Sequence, residues 1–294
     1  MKPNTIPAVG ATLSALLLFG LAITVNADTF LVPDDFPTIQ AAVDAANPDG
    51  GDIVMVGPGD YAGAVITNPV IIVGSGDDTR ITSGTDLPGE DAFILYGPSF
   101  NVDGTEISNL VIEYEGLAWG VYGESADNVT IRNVTVNNAN VAIDNLYGNG
   151  WTIVQNTIEG LRVPDGVTDV IAVGIRAWGP SSNNLIAHNY IHHEGDAVTS
   201  VPEVEIWGGI GLVGFGDLLV NNNVHHNQVH ISVPEVQCYN FVLVDYGALL
   251  FGLPVYMVDN KLHHNLSWGE CAGLTFFPED VSEYTKLHHN QWEN

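Results

Sequence analysis

Positive charge is what this chain lacks most. Seven Lys and Arg stand against 35 Asp and Glu, a formal net charge of −28 over 294 residues. A surface so poor in cations cannot neutralise phosphates, which excludes nucleic acid and anionic membranes as partners. Long apolar runs are nearly missing too. One runs from Ala8 to Val25 and no second follows, so no membrane insertion is expected of the remainder. Cysteine is limited to Cys238 and Cys271. Extended helical periodicity is absent after residue 51. The acids are scattered, not gathered in tails, so they do not mark disorder.

The early apolar run has a meaning of its own. Lys2 precedes it, and Val25-Asn26-Ala27 reads as a small-x-Ala cleavage site. Residues 1–27 are therefore expected to be a secretory signal peptide. The expected location is secreted, extracellular or at the cell surface, with the periplasm as the alternative. In such a compartment disulfides persist, so Cys238 and Cys271 are a candidate disulfide; two separate buried thiols is the other reading.

A phrase keeps returning in the rest of the chain. Asn189-Tyr190-Ile191-His192-His193 is followed by Asn222-Asn223-Val224-His225-His226, then by Asn260-Lys261-Leu262-His263-His264. A last copy, Thr285-Lys286-Leu287-His288-His289, lacks only the Asn. Marks taken three residues before each Asn or its substitute fall at Ile153, Ile186, Leu219, Met257 and Ser282, spaced 33, 33, 38 and 25. A basic turn of about 22–25 residues with insertions in three turns fits this spacing, and such repetition means a solenoid. Short β runs such as Ile53–Val56 and Val70–Val73 alternate with Gly, Pro, Asn and Asp. The predicted fold class is all-β: a right-handed parallel β-helix, a three-stranded solenoid. Residues 28–51 supply an opening strand and a helix, with Thr38 as cap and Ile39, Ala42, Val43 and Ala46 as its apolar stripe. Residues 52–294 form the coil.

The insertions repeat as well: Arg162-Val163-Pro164-Asp165-Gly166, Ser200-Val201-Pro202-Glu203-Val204-Glu205 and Ser232-Val233-Pro234-Glu235. Loops near 162–168, 194–208 and 228–240 are expected to stack as a lateral wall, the side on which repeat proteins often bind. The segments Val32-Pro33-Asp34-Asp35-Phe36-Pro37-Thr38-Ile39-Gln40-Ala41-Ala42-Val43 and Val56-Gly57-Pro58-Gly59-Asp60-Tyr61 then settle a likeness. The chain resembles the secreted right-handed parallel β-helix repeat family of the pectin-lyase-like fold over nearly all of residues 28–294. That resemblance implies that the first helix caps the N-terminal end of the coil, and that the ligand is a polysaccharide.

The resemblance carries no catalytic residue over. The Asp-Asp, Gly-His-Gly and Arg-Ile-Lys motifs of the family's polygalacturonases are absent, as are the later motifs of its pectin methylesterases. Whether the chain is an enzyme stays open at this point. A lyase needs a base and a cation against the substrate carboxylate, and Arg176 and Lys261 are the candidates. A glycoside hydrolase needs paired carboxylates, for which Glu203 and Glu235 are candidates. Asp165, Glu203, Glu205 and Glu235 together form a candidate Ca²⁺ site, with a solvated acidic face as the other reading. His192, His225 and His263 are expected in one column, a transition-metal site or a structural ladder. His188 and His230 fall outside that pattern. Aromatics near the insertions, Trp178, Trp207, Tyr239, Tyr246 and Trp268, suit sugar rings or wall packing equally. The expected role is binding, and conceivably processing, of an extracellular polysaccharide on the lateral loop face. Its alternative is a non-catalytic surface solenoid that self-associates or meets a partner at an uncapped C-terminal end.

Overall fold

The computed structural model describes residues 27–85, 91–114, 116–162, 172–195, 207–216, 218–233 and 238–293. The apolar leader and the loop acids Asp165, Glu203, Glu205 and Glu235 lie outside the described residues. No described helix is long and apolar enough to cross a membrane.

The chain winds through three faces, each a column of parallel strands. The first face stacks Thr29–Val32, Ile53–Val56 and Ile71–Val73, the front halves of Glu106–Ile112 and Thr130–Ala139, then Thr152–Val154, Leu185–Ala187, Asn223–His225, Asn260–His263 and Thr285–His288. The second takes the back halves of the same two long strands, then Thr157–Leu161, Tyr190–Glu194, Gln228–Ser232, Leu266–Trp268 and Gln291–Trp292. The third runs from Ala64–Ile66 through Phe93–Tyr96, Trp119–Glu124, Val141–Leu146, Ala172–Trp178, Trp207–Gly214 and Cys238–Asp245 to Ala272–Phe277.

Alternation explains the core. In each short strand one side chain turns in and its neighbours turn out, because successive Cβ atoms point to opposite faces. On the first face Val54, Ile72, Ile107, Ile131, Ile153, Ile186 and Val224 stack in register and are fully buried. On the third, Phe93, Val121, Ile143, Ile175, Ile210 and Phe241 do the same. Each such side chain contributes about 1.5–3 kcal/mol of apolar burial. Trp151 is fully buried inside the coil, and Gly123 makes room for it: a Cβ there would meet the indole at 2.4 Å.

Two buried asparagine ladders fix the corners. Asn156, Asn189, Asn227, Asn265 and Asn290 form one, each Nδ2 donating to the next Oδ1 at 3.0–3.1 Å. Asn184, Asn222 and Asn260 form the other. Each rung also accepts a backbone N–H, and all but Asn184, which donates to the Ser181 hydroxyl, donate to a carbonyl of an adjoining coil; for Asn227 these are Asn189 N–H and Ile186 O. These bonds satisfy backbone groups that the bends leave unpaired.

The helix Ile39–Ala45 closes the start of the coil, with the Thr38 hydroxyl accepting from Ala41 N–H. Ile39, Ala42 and Val43 are fully buried. Gln40 pairs with the open edge of Ala64–Ile66 as a strand would: its Nε2 donates to Val65 O and its Oε1 accepts from Val65 N–H. An otherwise bare edge is thereby covered.

Two sequence expectations are corrected by the register. Ile186 pairs with Val224 and not with Leu219, which pairs with Met257. The in-register marks are Ile153, Ile186, Val224, Leu262 and Leu287. The insertion placed near 228–240 is narrower, because Gln228–Ser232 is a second-face strand and Cys238 already opens the next third-face strand. All three insertions fall between the second and third faces. Cys238 and Cys271 are disulfide-bonded between neighbouring coils.

Candidate functional site

Outward side chains of the third face build a cleft of about 520 Å³. Tyr122, Asp144 and Arg176 are successive members of one outward column. Glu124, Leu146 and Trp178 form the next, and Trp119 stands at the near end of its strand. Asp91 and Tyr147 complete the rim.

A charged pair sits at the centre. Asp144 is 1% exposed, so its carboxylate requires a partner. Arg176 supplies it twice: Nε donates to Oδ1 at 3.0 Å and Nη2 to Oδ2. The guanidinium carbon also lies 4.9 Å from the centre of the Trp178 ring, within cation–π range. Tyr246 flanks Trp178 and Tyr122 flanks Trp119. Burial pulls the Arg176 pKa down, but the Asp144 charge and hydrogen bond outweigh it and the net shift is upward. Tyr122 is raised by burial and then by its hydrogen bond to Glu124. Both groups therefore stay protonated at neutral pH. The cleft offers Arg176 as a fixed cation and donor, not as a proton acceptor. The indole N–H groups of Trp119 and Trp178 are buried with no acceptor among the described residues.

Lys261 is nowhere near Arg176. It stands on the first face, between Asn223 and Lys286 in the strand stack. Most other bases are held by acids of adjoining coils: Arg80 by Glu113, Arg132 by Glu106 and Lys286 by Asp259. Of the other aromatics named from sequence, Tyr239 is buried and Trp268 stacks on His230. Trp207 opens a third-face strand.

The histidines fall into two groups, not one column. Ala187 pairs with His225, which pairs with His263, which pairs with His288. His192 instead pairs with His230 on the second face, against the expectation that it joins His225 and His263. Each upper coil carries two Asn-led strands five residues apart, and the repeated phrase matches either. His188 and His230, left out of the sequence pattern, belong to these groups. At the bend between first and second faces His188, His226, His264 and His289 stack with ring centres 4.9 Å apart. Beside them His225, His263 and His288 stack at 4.8 and 4.7 Å. His225 is pushed down to about 4 by burial, then by its neighbours His263, His226, His188 and His264. On the second face His192 Nδ1 lies 3.0 Å from Glu159 Oε2, and His192, Glu194 and His230 converge.

Three strand columns wound about a solid aliphatic core, closed by an N-terminal helix and bearing an aromatic cleft on one face, define a parallel β-helix protein. The chain belongs to the right handed beta helix region family, whose profile matches residues 92–274, more than half its length. No curated protein matches it in sequence. Among solved structures it is similar to the catalytic domain of a GH87 alpha-1,3-glucanase in complex with nigerose, with 17% identity and a TM-score of 0.47 over 74% of this chain and 34% of that one. The chain thus spans about a third of that domain. An alginate lyase from Paenibacillus sp. aligns at 12% identity and TM-score 0.42, covering 90% and 99% of the two chains. The A-module of a mannuronan C-5 epimerase of Azotobacter vinelandii aligns at 14% and 0.41, covering 87% and 93%.

The cleft residues Trp119, Tyr122 and Asp144 carry no motif and were not singled out in the sequence. The usable signal was register: once Ile143 and Ile175 are aligned as core positions, Asp144 and Arg176 become neighbours.

Proposed function

We propose that this is an exported β-helix that binds a polysaccharide in its third-face cleft. One observation carries the reading: the rings of Trp119, Tyr122 and Trp178 stand around the doubly bonded Arg176–Asp144 pair in an open depression. Aromatic planes present large rigid apolar surfaces to sugar rings. A few convergent polar groups then fix orientation, as in most small-molecule sites. Asp91 and Asp144 outnumber Arg176 here, and the whole chain is strongly anionic. A neutral glycan is therefore the preferred ligand. A uronate chain needs a divalent cation such as Ca²⁺ to enter.

The test is affinity electrophoresis of the folded protein through a panel of neutral and uronate polysaccharides, with Ca²⁺ and with chelator, alongside reducing-end release. Retardation by at least one neutral glycan is expected under both conditions, and retardation by uronates only with Ca²⁺. New reducing ends would add cleavage to binding. Free migration through every glycan contradicts the reading.

A further inference from the structure

The coil does not need histidine where it has it. The left-handed bend position held by His188, His226, His264 and His289 is filled by Asn133 and Gln155 in earlier coils. The outward place of His225, His263 and His288 is filled by Ala187 in the coil before them. Bend geometry and strand packing thus account for none of the seven imidazoles.

What the seven share is donor spacing. Within one coil, His225 Nδ1 and His226 Nδ1 are 2.8 Å apart, and His288 Nδ1 and His289 Nδ1 are 3.3 Å apart. Tetrahedral bonds of about 2.0–2.1 Å place two nitrogen ligands about 3.3–3.4 Å apart, so the His288–His289 pair fits as it stands, and the hydrogen-bonded His225–His226 pair opens by roughly 0.5 Å on binding. The preceding coil adds a third ring to each of these two pairs. His188, His225 and His226 bring three ring nitrogens within 4.8 Å of one another, and so do His264, His288 and His289. His188, His226, His264, His288 and His289 are exposed, which leaves a fourth position open to water or a ligand. Imidazole donors suit Zn²⁺, Cu²⁺ and Ni²⁺ rather than Ca²⁺. The net charge of −28 raises the local concentration of cations.

We propose that this bend binds two transition-metal dications, one at His188, His225 and His226 and one at His264, His288 and His289. A middle set, His226, His263 and His264, shares a ligand with each and competes with both. Filling that middle set takes a ligand from each of the other two, so it holds one ion where they hold two. The site is on the bend between first and second faces and is independent of the glycan cleft.

The test is equilibrium dialysis of the full, tag-free chain against Zn²⁺ with elemental counting of bound metal. Asn is the substitution of choice because it tolerates the left-handed bend. Relative to the parent, His226→Asn loses one ion, His264→Asn loses one, and the double variant loses two. His263→Asn loses none. Circular dichroism confirms that each variant keeps its strands. A folded parent that holds no zinc, or a double variant that holds as much as the parent, overturns the proposal.

Discussion

Asn227 illustrates what one residue does in a stacked coil. Its side chain accepts two hydrogen bonds from Asn189 and donates to Ile186 O and Asn265 Oδ1. Asn227→Ala strands buried donors of Asn189, each worth about 1–3 kcal/mol. Denaturant unfolding is expected to show a loss of about 3 kcal/mol or more. Lys286→Ala breaks the exposed pair with Asp259 and should leave the unfolding midpoint nearly unchanged. His193 is one source of pH dependence, beside His225 and the other histidines whose pKa is lowered. Its Nδ1 accepts from Leu161 N–H at 3.0 Å, and burial, then the charge of His192, pushes its pKa below the ordinary 6.5. As pH falls through 6.5 the unfolded chain takes up a proton that the folded chain resists. Stability is therefore full above that pH and declines below it. His193→Asn keeps an acceptor without the titration, so its unfolding midpoint should fall less steeply between pH 7 and 5. The repeated His pairs were legible in the sequence, but their partners were not. Asn189 and Asn222 both open an Asn-led phrase, and only strand pairing assigns them to different faces.

At the scale of elements, alternation in the short strands and the Ile39, Ala42 and Val43 stripe announced both the coil and its capping helix. The edge-sealing role of Gln40 was hidden, because it depends on where Val65 lies in space. The third-face cleft was hidden for the same reason. Trp119, Tyr122, Asp144 and Arg176 come from three coils separated by 22 and 32 residues, and nothing local links them. The disulfide ties the strands Cys238–Asp245 and Ala272–Phe277 across a separation of 33 residues. Closing a loop of that length restricts the unfolded chain by about 4 kcal/mol. The double variant Cys238→Ala, Cys271→Ala should lose about that much in a denaturant titration. Its earlier coils, which pair independently of that link, should keep their hydrogen-exchange protection longest.

Taken whole, the molecule is a stacked coil with a largely aliphatic core cornered by asparagine ladders and two separate outward chemistries: a ring-lined cleft on the third face and an imidazole array at a bend. Its few bases are mostly committed to ion pairs between coils, so the solvent meets an acidic surface. Arg176 is the cation left inside a recess, locked to Asp144 beneath Trp178. We propose that this recess seats the glycan. Calorimetric titration of one bound oligosaccharide into the parent and into Trp178→Ala tests it most directly. Removing the ring forfeits about 1.5–3 kcal/mol of buried contact, so affinity should fall roughly 10- to 100-fold with the fold intact. Equal affinity in the two proteins would contradict the account.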